Sequence, residues 1–118
     1  MQIGQIALPY GLFLAPMAGF TDHAMRASCH AMGADYTITE MVSAKAVCYG
    51  DKKTPLLARV YPEDGACALQ LFGSEEYFLA EAARRLYAGA ALGCLPVAFD
   101  INMGCPVPKV AGNGEGSA

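Results

Sequence analysis

The sequence predicts an α/β fold, a parallel sheet of about four strands with helices packed outside it. Three observations carry that expectation. Four short apolar runs recur at residues 12–15, 36–39, 66–71 and 97–101, with starts 24, 30 and 31 residues apart. That spacing is near the ~30 residues of a strand–helix–strand unit. Helical start and stop signals fill two of the intervening segments. At 118 residues and 54% apolar composition, the chain is long enough for one domain with a core.

Local signals justify each element in turn. Residues 3–8 read as a small preceding strand, and residues 12–15 as the first strand of the sheet. Thr21-Asp22 caps a helix, because short side-chain oxygens accept the free N–H groups of a first turn. Met25, Cys29 and Met32 then fall at i, i+4 and i+7 as its apolar stripe, and Gly33 closes it. Residues 36–39 form the second strand. The stretch 43–59 holds at most a short helix, broken by Gly50, Asp51 and Pro55. Residues 66–71 form the third strand. Ser74-Glu75-Glu76 opens a longer helix, with acidic groups where the helix dipole favours them. Its stripe is Phe78, Leu79, Ala82, Leu86 and Ala90, and Gly93 ends it. Residues 97–101 form the fourth strand. The glycine-rich stretch 111–118 reads either as a flexible terminus or as a loop leading to a further element.

Polar and small residues gather where the apolar runs end. The first leads into Pro16-Met17-Ala18-Gly19 and the second into Glu40-Met41. The third ends at Gln70 before Phe72-Gly73, and the fourth leads into Asn102-Met103-Gly104-Cys105-Pro106. Sites in parallel α/β folds form at the carboxyl ends of the strands. One such end is an ordinary loop start, but four in succession predict a shared site. The small residues at 16–19 let a flat ligand approach the backbone closely. Gln70 offers a donor and an acceptor to an imide-like edge of a flavin or a base, with a structural hydrogen bond as the alternative. Asp100, inside an apolar run, reads as a partner to backbone or to a neighbouring strand rather than a catalyst.

Cys105 stands apart. Gly104 and Pro106 fix the backbone around it, and Pro106 biases it towards an extended conformation. A thiol in water ionises near pH ~8.5, so at neutral pH it is mostly protonated and able to act as an acid. A depressed pKa would make it a nucleophile instead. Both histidines, His23 and His30, lie on or near the first helix, which favours the acid. Lys45, Lys52, Lys53 and Arg59 share the second loop and read equally as phosphate contacts or as solvated charges.

Composition sets the limits. A net charge of −3 excludes a uniformly basic nucleic-acid binder, though not a local basic patch. No apolar run approaches the about 18 residues of a membrane span. The N-terminus lacks a basic-then-apolar leader pattern, so a cytoplasmic protein without membrane contact is expected. The five cysteines, Cys29, Cys48, Cys67, Cys94 and Cys105, are odd in number and contain no C-x-x-C. No metal site is expected, and the first four read as small buried hydrophobes. A charged fraction of 16% is low for a self-contained small domain and implies faces that expect a covering.

Four ordered motifs carry a family resemblance. They are residues 14–22 around Pro16-Met17-Ala18-Gly19, residues 39–46 from Thr39-Glu40-Met41, Gln70-Leu71-Phe72-Gly73, and residues 100–106 ending in Cys105-Pro106. Together with Lys109 and Gly114-Glu115-Gly116-Ser117-Ala118, they resemble the flavin-dependent tRNA-dihydrouridine synthases over almost the whole chain. Phe20 stands where that family commonly has an aliphatic residue.

The resemblance implies an FMN-containing (β/α)8 TIM barrel followed by a helical domain, and NADPH-dependent reduction of uridines in tRNA. It implies that Pro16, Met17 and Ala18 hold FMN through their backbone and that Gln70 also contacts the flavin. It implies Asn102 beside the uracil and Cys105 as the proton donor, with Glu40 lining the site. A typical barrel has ~250 residues. Residues 1–118 are therefore expected to be a truncated catalytic domain, the N-terminal half of the barrel, lacking its later flavin contacts and the tRNA-binding domain. Such a fragment is expected to be inactive alone and not to hold FMN tightly. Two other readings stay open. One is an FMN barrel oxidoreductase acting on free pyrimidines, against which the 39–46 and 100–106 motifs argue. The other is a non-catalytic half-barrel that associates with itself or with a second chain, which the low charge supports.

Overall fold

Strands drawn from successive stretches of the chain pair in parallel and build the sheet. The computed structural model describes residues 1–89 and 93–118. Strands β1 (Gln2–Ile3) and β2 (Ile6–Ala7) make a small antiparallel hairpin, so residues 3–8 are a two-strand turn rather than a single strand. The parallel sheet then takes β3 (Phe13–Leu14), β4 (Tyr36–Ile38), β6 (Ala66–Phe72) and β7 (Ala98–Ile101) as neighbours in that order. Strand β5 (Val42–Ser43) pairs with the far end of β6, on the edge that β4 occupies lower down. The order follows the chain without reversing. A doubly wound sheet would reverse; the N-terminal half of a (β/α)8 barrel does not.

Alternation along β6 separates two faces. Leu69 and Leu71 are fully buried against Val42, Ala44 and Ala58, and against Ala82 and Leu86 of helix α4 (Glu76–Ala88). The opposite face carries Ala66, Ala68 and Gln70. Leu8, following the hairpin, packs there on Tyr36 and Ala68 with Ile38 and Ala98 beside them. The hairpin thus covers the amino end of the inner face. Register sets Gln70 opposite Asp100 at its carboxyl end.

Between β4 and β5 the pairing slips by one residue. Ile38 lies opposite Ala68 and Val42 opposite Leu71, so four steps on one strand match three on the other. This is a bulge, a device that re-aims side chains. Thr39 repairs the ladder there: its N–H donates to the Ala68 carbonyl, and its Oγ1 accepts the Gln70 N–H at 3.1 Å.

The helices form largely where local signals place them, with instructive exceptions. Helix α1 (His23–Ala31) is capped by the Asp22 carboxylate, which accepts the Met25 N–H, and Gly33 follows it at φ 108°. The expected apolar stripe is not its buried face. Met32 is 88% exposed and Met25 is also exposed, whereas Arg26 is buried. The cause is an ion pair, Arg26 Nη2 to Asp64 Oδ2 at 2.8 Å, supplied by the 3-10 turn Pro62–Asp64. Arg26 also donates to the Thr21 and Arg59 carbonyls, and the same Asp64 holds His23 Nδ1 at 3.0 Å. These bonds set the rotation of the helix.

The stretch 43–59 holds two short helices, α2 (Ala44–Cys48) and α3 (Thr54–Ala58). Pro55 starts α3 instead of breaking a helix, since a first turn needs no proline N–H. The Asp51 carboxylate accepts the Thr54 hydroxyl and the N–H groups of Thr54 and Lys53. Those bonds, the hydroxyl first, hold its pKa below the usual carboxylate value. Helix α4 stops at Gly89, four residues before the expected Gly93, which instead bridges Val60. Ala90, assigned to its stripe, lies outside the described residues. Cys67 is the one buried cysteine among those described, and burial pushes its thiol pKa up. Cys29, Cys48 and Cys94 are half-buried, so the expectation of four buried cysteines holds only for Cys67. The stretch 111–118 is neither loose nor extended: helix α5 (Pro108–Ala111) is followed by turns that fold back on Cys105.

Candidate active site

A cavity of about 350 Å³ opens at the carboxyl ends of the strands, lined by Pro16, Ala18, Met41, Gln70, Asn102, Gly104, Cys105 and Val107. Five of the seven residues named from the family resemblance, Pro16, Ala18, Gln70, Asn102 and Cys105, therefore share one opening, and Glu40 lines the neighbouring hollow instead. Met17 does not line the opening. Its N–H donates to Thr21 Oγ1 at 3.0 Å, and its carbonyl accepts the N–H groups of Phe20 and Thr21. Both backbone groups of Met17 are thus committed to the turn, and its side chain is exposed. The turn after β3 is closed a second time by the Glu40 carboxylate, which accepts the Gly19 N–H.

A continuous chain of hydrogen bonds sets the polar side of the cavity. Gln70 Nε2 donates to Asp100 Oδ2 at 2.6 Å, and Asn102 Nδ2 donates to Gln70 Oε1 at 3.0 Å. Asn102 Oδ1 accepts the N–H groups of Cys105 at 3.0 Å and Gly104 at 3.2 Å. The two ends of this chain dictate every orientation between them. A carboxylate only accepts and a backbone N–H only donates, so neither amide can be flipped without loss. Gln70 keeps one N–H and one lone pair beyond these bonds. Asp100 is thus the neighbouring-strand partner of Gln70. It also lies near Tyr36 on the inner face, whose pKa is raised by burial first and then by the Asp100 charge.

The cavity can receive a flat heterocycle. It offers open backbone at Pro16 and Ala18 on one side, an oriented amide at its floor and a thiol-bearing loop at its rim. A second, larger hollow adjoins it, sharing Ala18 and Met41 and lined also by Glu40, Lys45, Phe72 and Lys109. Two of the four cations of the second loop have partners within the fold. Lys45 is paired with Glu75 at 2.5 Å, which raises its pKa, while Arg59 lies over the Tyr61 ring. Among the described residues, no cluster of His, Cys, Asp and Glu is arranged to hold a metal, and no helix is long and apolar enough to cross a membrane.

Sequence reasoning overlooked Ser117 as a site residue. Its N–H and its Oγ each donate to the Cys105 carbonyl at 3.1 Å. The only signal was its place in the closing glycine-rich motif, which no local periodicity singles out.

Comparison with known proteins agrees with this arrangement. The dihydrouridine synthase (Dus) family model matches residues 13–118. A probable tRNA-dihydrouridine synthase of Treponema pallidum is 36% identical over 118 residues, covering all of this chain and 34% of that protein. The tRNA-dihydrouridine synthase B of Pectobacterium carotovorum is 42% identical over 118 residues, again across the whole chain and 35% of the relative. That of Escherichia coli K12 is 40% identical over 119 residues, with the same coverage. The chain spans about a third of the length of these curated relatives. With a parallel sheet in barrel order and a family match over nearly its full length, the chain belongs to the dihydrouridine synthase family.

Proposed function

We propose that residues 1–118 form the first half of the catalytic barrel of an enzyme that reduces uridine in tRNA to 5,6-dihydrouridine. FMN would be the resident cofactor and NADPH the reductant, in a cytoplasmic protein. The observation that carries this reading is the position of Cys105. It lies on the rim of a cavity whose floor is the oriented Gln70 amide and whose backbone side is Pro16 and Ala18.

The residues present fit the ring system of a flavin. Gln70 retains a donor and an acceptor for its imide edge, and Gly104 leaves open space where a side chain would stand. No cation lines this cavity, so a phosphate would need positive groups from elsewhere in the barrel. FMN held there and reduced by NADPH would supply the hydride for uracil C6.

The chain's own residues do the rest. Asn102 would stand beside the base, with its amide oxygen holding the Gly104 and Cys105 N–H groups of the thiol loop. As negative charge develops towards C5 and the C4 carbonyl, the neutral Cys105 thiol gives its proton to C5 and is left as a thiolate that solvent reprotonates. The target base must leave the tRNA stack, at a cost of a few kcal/mol.

The test uses the protein that carries this chain, with tRNA lacking dihydrouridine. Cys105→Ala is expected to slow dihydrouridine formation by roughly 100-fold or more while the flavin absorbance stays. Full activity in that variant removes Cys105 from the chemistry.

A further inference from the structure

We propose that the turn ending at Ser117 clamps the Cys105 loop, which makes Ser117 a positioning residue for proton donation. The proposal rests on Cys105 being the donor. It adds a residue that does not line the cavity and acts through the Cys105 backbone.

Both peptide units flanking the Cys105 Cα are tied, and to different parts of the fold. Its N–H donates to Asn102 Oδ1, which follows β7 and is bonded in turn to Gln70 of β6. Its carbonyl accepts two bonds from Ser117, one from the N–H and one from the hydroxyl, each 3.1 Å. Pro106 stiffens the next step because its ring fixes φ. The loop backbone therefore cannot swing the Cys105 Cα–Cβ bond away without breaking bonds on one side or the other.

Gly116 shows how closely the turn must approach. It sits at φ 62°, and a Cβ there would lie 2.6 Å from the Cys105 carbonyl oxygen and 3.0 Å from the Cys105 Cβ. A backbone oxygen cannot move aside as a flexible side chain would, so only glycine allows the contact. The turn is itself anchored, since the Glu115 N–H donates to the carbonyl of the buried Val110. Such a clamp matters because an acid must lie within hydrogen-bond reach of the atom it protonates, and small misplacements cost rate steeply.

The experiment compares wild type, Ser117→Ala, Ser117→Thr and Cys105→Ala in the protein that carries this chain. Hydrogen exchange at the Gly104 and Cys105 amides reads the loop, with β6 amides as the control for folding. Rapid-reaction measurements read NADPH oxidation and uridine reduction separately. Ser117→Ala is expected to lose protection at Gly104 and Cys105 while β6 keeps its own. It should slow uridine reduction roughly 10-fold and leave NADPH oxidation unchanged. Ser117→Thr, at an exposed position that keeps the hydroxyl, should restore both. Unchanged protection together with unchanged uridine reduction in Ser117→Ala overturns the clamp, as does an equal slowing of both half-reactions. An unimpaired Cys105→Ala overturns the donor reading instead, and the exchange data tell that failure apart from failure of the clamp.

Discussion

Asp64 and Asp100 each anchor a polar network, and the two networks differ in what they leave free. Asp64 is fully buried between helix α1 and the strand it precedes. Its two oxygens take Arg26, His23 and the Tyr61 N–H, and its carbonyl accepts the Thr37 hydroxyl. The carboxylate of Asp100 is only half-buried, and the chain it starts runs through Gln70 and Asn102 into an open cavity. The Asp64 carboxylate is spent on partners inside the fold and contributes stability, although the Nε of the Arg26 it holds is buried without a partner. An oriented network that ends at an opening, with donors and acceptors in hand, can bind a ligand.

Substitution should separate the two sharply. Asp64→Ala leaves the buried Arg26 without its counter-charge and is expected to cost about 3–5 kcal/mol in urea unfolding. A loss below about 1 kcal/mol would place this pair with ordinary surface pairs and dissolve the contrast. Asp100→Ala should cost only about 1 kcal/mol of stability, the scale of one hydrogen bond. Under the proposed function, its larger effect in the protein that carries this chain should be a roughly 10-fold slower uridine reduction, because the Gln70 and Asn102 amides lose their fixed orientation. If both variants lost stability alike with activity tracking it, the distinction between the networks would fail.

Two smaller effects refine the comparison. On the surface of α4, hydrogen bonds from Arg84 and then Arg85 hold the Glu81 carboxyl down to about 2, against an ordinary 4.5. Its stabilising effect is full above pH 4.5 and fades as the pH falls towards 2. In Glu81→Gln that part of the acid sensitivity should vanish, which acid titrations followed by circular dichroism would read. Smallest of all is Met32→Ser, expected to stay within about 0.5 kcal/mol of wild type in the same urea assay. It lies one position beyond the end of the helix that Arg26 anchors, and on its exposed side.

That last pair shows where reading the chain succeeds and where it stops. The four apolar runs became strands, and Asp22 and Gly33 bound α1, because those signals act between residues a few positions apart. Motifs at the strand ends were legible too. Parallel strands bring their carboxyl ends together, so Pro16, Gln70, Asn102 and Cys105 meet once the strand order is right.

Long-range partners decided the rest. Met25 and Met32 have the spacing of a buried stripe, yet Asp64 draws Arg26 inward from 38 residues away, and the helix turns with it. The bulge at residues 39–41 and the bonds from Ser117 to Cys105 likewise arise only when distant segments pack. Element identity and the position of the site follow from local propensity and alternation, energies that neighbouring residues settle among themselves. Which helix face is buried, which amide is oriented and what holds the thiol follow from charges and hydrogen bonds that must be satisfied once buried, and only the folded chain determines their partners.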